Sequence, residues 1–164
     1  LALSARALTP IGRNQGGEAA LGLRYQPFAA IPISMTVERR QALRKYTGRN
    51  AFSAFAEAGI YGKPLTMGLK VDAYGQAGIV GAKRRDWFVE GQVAATHPLW
   101  RDVRVGGGLW AAAQPGLNRL DIGPRLSMPI GKRKMMQIHL DYRVKTMGTA
   151  NPGSGPTMTI GGNF

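Results

Sequence analysis

The sequence has no cysteine, only two histidines, and 9 Asp and Glu against 22 Lys and Arg. Without cysteine a disulfide scaffold and a thiolate metal site are both excluded, and the redox compartment stays open. His97 and His139 stand far apart, and no group of carboxylates has calcium-loop spacing, so no metal and no cofactor are expected. No run of about 20 continuous apolar residues occurs, which excludes a spanning helix. The 23 glycines and 10 prolines follow no three-residue period, so they mark turns and not collagen. A hydrophobic content of 44% is too high for a disordered chain, and 164 residues suit one domain at most. The chain opens at Leu1 with no charged, apolar, small-residue leader pattern. We therefore expect a mature product or a piece cut from a longer polypeptide.

What the sequence does have is a period of two. Leu21, Leu23 and Tyr25 alternate with Gly22, Arg24 and Gln26, and Ile33, Met35 and Val37 with Ser34, Thr36 and Glu38. The same pattern runs over 65–74, 87–96, 103–110, 120–128, 136–145 and 157–164. Alternation at this density predicts strands. The alanine-rich segment Ala51 to Ile60 suits a short helix or a strand, and its period of two and its neighbours favour a strand. That makes nine strands, or ten with Leu1 to Leu8. Short turns are expected at Phe28–Pro32, Gly62–Pro64, Pro98–Asp102 and Gly131–Lys134. Longer connectors are expected at Gln41–Asn50, Gly81–Asp86, Pro115–Arg119 and Thr146–Pro156, all on one side of the sheet.

The two faces differ in kind. Arg24, Glu38, Arg40, Glu57, Lys70, Asp72, Glu90, Arg104, Asp121, Arg125, Asp141, Arg143 and Lys145 share the polar set. Burying one unpaired charge costs several kcal/mol, so this face needs water or partners of opposite sign. The other face is Leu, Ile, Val, Met, Ala and Gly. Either it packs inward, as in a soluble barrel or sandwich, or it faces lipid while the charges line a hydrated lumen. Lipid is favoured by segments of roughly nine to eleven residues, the span of a tilted transmembrane strand. It is also favoured by aromatic residues near segment ends (Tyr25, Phe28, Phe52, Tyr61, Trp87, Trp100, Tyr142, Phe164) and by small residues on the apolar side. The expectation is an all-β, antiparallel up-and-down transmembrane β-barrel over 1–164, with 1–16 as a loosely attached N-terminal segment and the whole either complete or part of a larger barrel.

The last eight residues, Thr157-Met158-Thr159-Ile160-Gly161-Gly162-Asn163-Phe164, resemble the closing signal strand of outer-membrane barrels. The resemblance implies that barrel-assembly machinery reads Met158, Ile160 and Phe164. Gly22-Leu23-Arg24-Tyr25-Gln26-Pro27, then Val37-Glu38-Arg39-Arg40, the alternating strands and the final Phe carry a second resemblance. It is to the C-terminal barrel of the bacteriophage adsorption protein A family and related exopolysaccharide-export proteins of proteobacteria. Members of that family also carry upstream tetratricopeptide repeats, which this chain lacks. We expect an outer-membrane pore or anchor and not an enzyme, and the resemblance implies a setting in envelope polysaccharide export or phage adsorption.

Among the charges, Arg24, Glu38, Lys70, Asp72, Glu90, Arg104, Arg125, Asp141 and Arg143 are expected in the lumen, where a cationic excess suits an acidic polysaccharide. Arg39, Arg40, Arg44, Lys45, Arg49, Lys83, Arg84 and Arg85 form a basic cluster expected on the outer loops, suited to lipopolysaccharide phosphates. Both sets also serve simply to keep hydrated surfaces wet. His139 shares a face with Asp141 and lies one strand from Ser127, types that serve acyl transfer, but no nucleophile elbow accompanies them. Gly106-Gly107-Gly108 lies mid-strand with no following helix to hold a phosphate, so close strand packing explains it better. Despite a net charge of +13, no helix-turn-helix, zinc knuckle or aromatic sheet motif points to nucleic acid. Two competing readings remain: a soluble basic β-domain that binds polyanions, and a barrel-embedded acyl hydrolase. Deleting Phe164 is expected to block membrane assembly, measured by fractionation of cells expressing the truncated chain; normal insertion would count against the membrane reading.

Overall fold

A computed structural model describes residues 1–8, 17–28, 31–43, 50–81, 86–131, 136–151 and 153–162. The chain is all-β. Its strands are β1 (Ala2–Leu8), β2 (Glu18–Tyr25), β3 (Ile33–Ala42), β4 (Ala51–Pro64), β5 (Lys70–Val80), β6 (Asp86–Trp100), β7 (Val103–Gln114), β8 (Leu117–Ile130), β9 (Met136–Gly148) and β10 (Gly155–Gly162). They form one antiparallel sheet in strict chain order, from β1 at one edge to β10 at the other. Among the described residues no ladder joins those two edges, so closure into a barrel is not part of the observed pairing. The alanine-rich segment is a strand, and Leu1 to Leu8 supplies β1, paired to β2 from Ala2↔Arg24 to Leu8↔Glu18. Two compact units make up the chain: residues 1–58 with 75–89, and residues 59–74 with 90–164.

Two stretches depart from the sequence expectation. Leu65 to Leu69, read as the start of a strand, is a connector built on a short 3-10 turn at Thr66–Gly68. Met67 takes φ +60° there, and the Leu65 amide donates to the Leu69 carbonyl at 2.8 Å. The expected turn at Gly62–Pro64 is the end of β4, and the expected turn at Pro98 is the end of β6, with Arg101 and Asp102 making the turn instead. Proline at a strand end forfeits one ladder bond without breaking the strand. The connector at Pro115–Arg119 is also shorter than expected: β7 and β8 meet across Pro115 and Gly116 alone. Proline pre-sets φ and Gly116 takes φ +76°, which suffices for a two-residue turn. The rule that the longer connectors share one side therefore fails here.

Burial is inverted relative to a water-soluble domain. On β3 the buried residues are Ser34, Thr36 and Glu38, while Ile33, Met35 and Val37 are exposed. Leu21 and Leu23 on β2, Trp87, Val89 and Val93 on β6, Leu140 and Val144 on β9, and Met158 and Ile160 on β10 are exposed as well. Among the described residues, the buried hydrophobic side chains are Ala20, Ala51, Ala94 and Trp110, and the other buried ones are polar or charged. Period two therefore sorts the residues as expected, and the face that packs is the polar one.

Glycines let that polar face pack. A Cβ on Gly106 would run into the Ala95 carbonyl, and one on Gly108 would press on the Trp110 ring at 2.6 Å. This is the close strand packing expected of the glycine run. Gly106→Val is expected to destabilise the fold by about 2 kcal/mol through overpacking; a lower chemical-denaturation midpoint checks it, whereas Gly107→Val, with only the Gly123 carbonyl nearby at 3.5 Å, should cost less.

Candidate functional site

The buried polar face carries the chemistry, and each unit has its own network. In the first, Glu38 on β3 lies between Gly22 and Ser53 in the two flanking ladders. A side chain on Gly22 would strike the Val37 carbonyl and Glu38 itself, so the glycine gives the carboxylate its space. Glu38 accepts from Arg6 and from the Ser53 hydroxyl at 3.0 Å. Arg40 donates to Glu18 at 2.7–2.8 Å, and Arg6 also approaches Glu18 at 3.6 Å. Two glutamates and two arginines thus neutralise each other. Arg24 pairs with Glu57 at 3.0 Å. Phe55 and Phe88 meet edge to face with ring centroids 6.1 Å apart.

In the second unit, Arg125 on β8 and Asp141 on β9 are direct cross-strand partners. Arg125 Nε donates to Oδ1 at 2.7 Å and Nη2 to Oδ2 at 2.9 Å, a bidentate fork. Both residues are 3% exposed or less, so the pair is held away from water. Arg143 reaches the same carboxylate at 3.6 Å. Both guanidiniums approach the Trp110 ring, Arg125 at 5.2 Å and Arg143 at 4.6 Å from its centroid, and its Nε1–H donates to Gln92 Oε1 at 2.9 Å. Arg119 holds Asp121 at 2.7–2.9 Å, and Arg104 donates to the Thr96 hydroxyl at 3.1 Å and to the Gly68 carbonyl at 3.1 Å. Ser127 and His139, also cross-strand partners, are bonded Oγ to Nδ1 at 2.8 Å. Asp141 gives its hydrogen-bonding oxygens to Arg125 and not to His139, so these three side chains do not line up as a Ser–His–Asp relay.

The expected lumen residues separate into groups. Glu38, Arg125 and Asp141 are buried, and Asp72, Arg104 and Arg143 partly so; Asp72 accepts the Gly62 amide at 2.6 Å. Arg24, Lys70 and Glu90 lie at exposed positions. Of the basic cluster, Arg39 and Arg40 lie in β3 itself and on opposite faces: Arg40 joins the Glu18 network, while Arg39 stacks over the Phe52 ring at 5.0 Å on the apolar side. Arg44, Lys45, Arg49, Lys83, Arg84, Arg85 and Phe164 lie outside the described residues, as do Lys132, Arg133 and Lys134. Met158 and Ile160 are exposed on β10, facing Leu140 and Ile138 in register. Tyr142, counted among the strand-end aromatics, sits in the middle of β9. His97 is exposed in the last residues of β6, not in a turn.

Sequence reasoning passed over Trp110, Gln92 and Arg119. Trp110 was legible as the one bulky ring on a face shared with Arg104, Gly106, Gly108 and Ala112. These side chains border a cleft of about 480 Å³, whose wall also includes Tyr74, Arg143, Asn151 and Thr157. Among the described residues no three His, Asp or Glu converge as metal ligands.

Asp141→Asn leaves Arg125 buried without a counter-charge and is expected to cost about 3–5 kcal/mol, read from the urea midpoint. Arg125→Met with Asp141→Leu, which removes both members of the fork but also the Asp141 contact of Arg143, should recover part of that loss. No protein-family model, curated protein or solved structure matches the chain.

Proposed function

We propose that this chain is an outer-membrane β-barrel, or the closing strands of one, serving as a pore or anchor in bacterial envelope polysaccharide export or phage adsorption. One observation carries the reading: the apolar residues of the strands are largely exposed, while polar and charged residues make up most of what is buried. Leu21 is 57% exposed and Val93 52%, whereas Glu38 and Arg125 are 2% exposed. Soluble monomers rarely expose contiguous apolar patches beyond a few hundred Å², and larger patches mark protein or membrane contacts. Hydrocarbon demands that backbone groups be satisfied within the protein, which an antiparallel ladder achieves between its strands and which closure, or further strands, would achieve at the edges β1 and β10.

Several further features fit. Strands such as β6 (Asp86–Trp100) and β8 (Leu117–Ile130) exceed the usual five or six residues of soluble strands and suffice for a tilted crossing. Tyr25 ends β2, Trp100 ends β6, and Phe52 and Trp87 stand second in β4 and β6, all exposed at the depth where an aromatic girdle would sit. Arg39 over Phe52 and Arg101 over Trp100, at 5.0 and 4.7 Å, place cations beside those rings, suited to lipid phosphate. The partners on this reading are outer-membrane lipid and lipopolysaccharide, the barrel-assembly machinery, and an exported polysaccharide or a phage. A soluble polyanion-binding domain would leave the exposed apolar stripes of β2, β3 and β6 in water.

Val93 is in the middle of β6, and Val93→Arg separates the two environments. At an exposed site in water this substitution changes stability by about 0.5 kcal/mol or less. Facing the bilayer midplane it costs about 2–4 kcal/mol. The larger loss is expected, measured by denaturant titration of the chain folded in lipid vesicles, with the folded form identified by faster gel migration before boiling. A neutral effect would overturn the membrane reading.

A further inference from the structure

In the unit made of residues 59–74 and 90–164, the cleft beside Trp110 has a volume of about 480 Å³, within the range of sites that hold small ligands. Its two arginines differ in how they are paired. Arg119 is satisfied, with Nε on Asp121 and Nη2 donating to the Gly153 carbonyl at 3.1 Å. Arg143 is ion-paired with Asp141 at 3.6 Å, and both oxygens of that carboxylate already accept from Arg125. Two guanidiniums therefore draw on the Asp141 carboxylate, whose hydrogen-bonded share belongs to Arg125, while Glu90 and Asp121 also line the cleft.

The consequence is visible in the bonding. Arg143 Nε is buried with no acceptor, and Thr157 Oγ1 is buried with no partner. Both residues line the same cleft. Their proximity follows from register: Gly155 faces Arg143 and Thr157 faces Asp141, so Thr157 and Arg143 are diagonal neighbours across β9 and β10. Buried donors without acceptors are uncommon in folded proteins and call for a specific partner. Here the missing partner is an acceptor for a guanidinium N–H, with a hydroxyl beside it that is also unpaired. Trp110 packs on Arg143 at 4.6 Å and fixes the plane of the guanidinium. An oxyanion is the ligand such a fork is built to hold.

The rest of the wall indicates what carries the oxyanion. Gln92 and Asn151 offer planar amides and Glu90 and Asp121 carboxylates, while Tyr74, Ala111 and Ala112 offer an apolar surface. A pyranose ring presents the complementary pair, an apolar C–H face and a rim of hydroxyls. We infer that this cleft binds an acidic saccharide unit, its carboxylate or phosphate oxygens accepting hydrogen bonds from Arg143 and Thr157. The saccharide half of the inference rests on the export reading above; the oxyanion half rests on Arg143 and Thr157 alone.

The test is calorimetric titration of the whole chain, folded in detergent micelles, with trigalacturonate, glucose 1-phosphate and maltotriose at fixed salt. At least one acidic ligand should bind tenfold or more tightly than neutral maltotriose, and which one does so tells carboxylate from phosphate. Arg143→Gln should abolish that preference, and Thr157→Val, a near-isosteric change on the edge strand, should weaken the acidic ligand severalfold. Folded protein that binds none of the three, or that keeps its preference in both variants, overturns the inference. The membrane reading fails separately: if the chain folds without detergent and shows no gel shift yet binds the acidic ligand through Arg143, the site stands and the barrel does not.

Discussion

Charge pairing away from water is the constraint on which the rest of the structure depends. A buried carboxylate such as Asp141, or a guanidinium such as Arg125, is tolerable only when the opposite charge sits within hydrogen-bond distance and in the right plane. Two antiparallel strands in fixed register meet that demand. Because Arg125 and Asp141 are direct partners across β8 and β9, their side chains emerge from the same face at the distance a bidentate fork needs. The same holds in the other unit, where Glu38 is served by Ser53 from the neighbouring β4 and by Arg6 from β1, two strands away. A one-residue slip in either ladder would send every one of these charges to the opposite face.

Space for the pairing comes from residues that contribute no charge. Gly22 leaves room for Glu38 and Gly108 for the Trp110 ring. Trp110 in turn covers two guanidiniums that cannot both be satisfied by one carboxylate. On the other face nothing needs pairing, because leucine, valine and methionine side chains make no directional demands. Whatever covers them has only to be apolar, and on the proposed reading lipid does so.

Much of the fold was legible because strand alternation is a local signal. Eight segments announced themselves by period two, and Ala51–Ile60, ambiguous by composition, followed the same parity as its neighbours. Misreadings fell where parity continues through a turn. Leu65, Met67 and Leu69 alternate as a strand would, yet Met67 adopts a positive φ that composition does not reveal. Pro98 looked like a turn residue and is tolerated at a strand end. Pro115-Gly116 carried the signature of a tight turn, which the following polar residues disguised as a longer loop. Half of the candidate site was equally legible: Glu38, Arg125, Asp141 and Arg143 could be placed on the polar face by counting. Arg6, Glu18, Gln92, Arg119 and Trp110 could not be assigned to networks, since that requires knowing which strand lies beside which and in what register.

Thus the amino-acid order alone determined the strands, their two chemically distinct faces and the excess of positive charge, because each depends on residues near one another in sequence. Tertiary structure alone decided which face packs, which cation meets which anion, and that Arg143 Nε is left without an acceptor. Those outcomes are set by register and by distances of a few ångströms between residues as far apart in sequence as Arg6 and Glu38 or Gln92 and Trp110, over which Coulomb attraction and hydrogen bonding are decided.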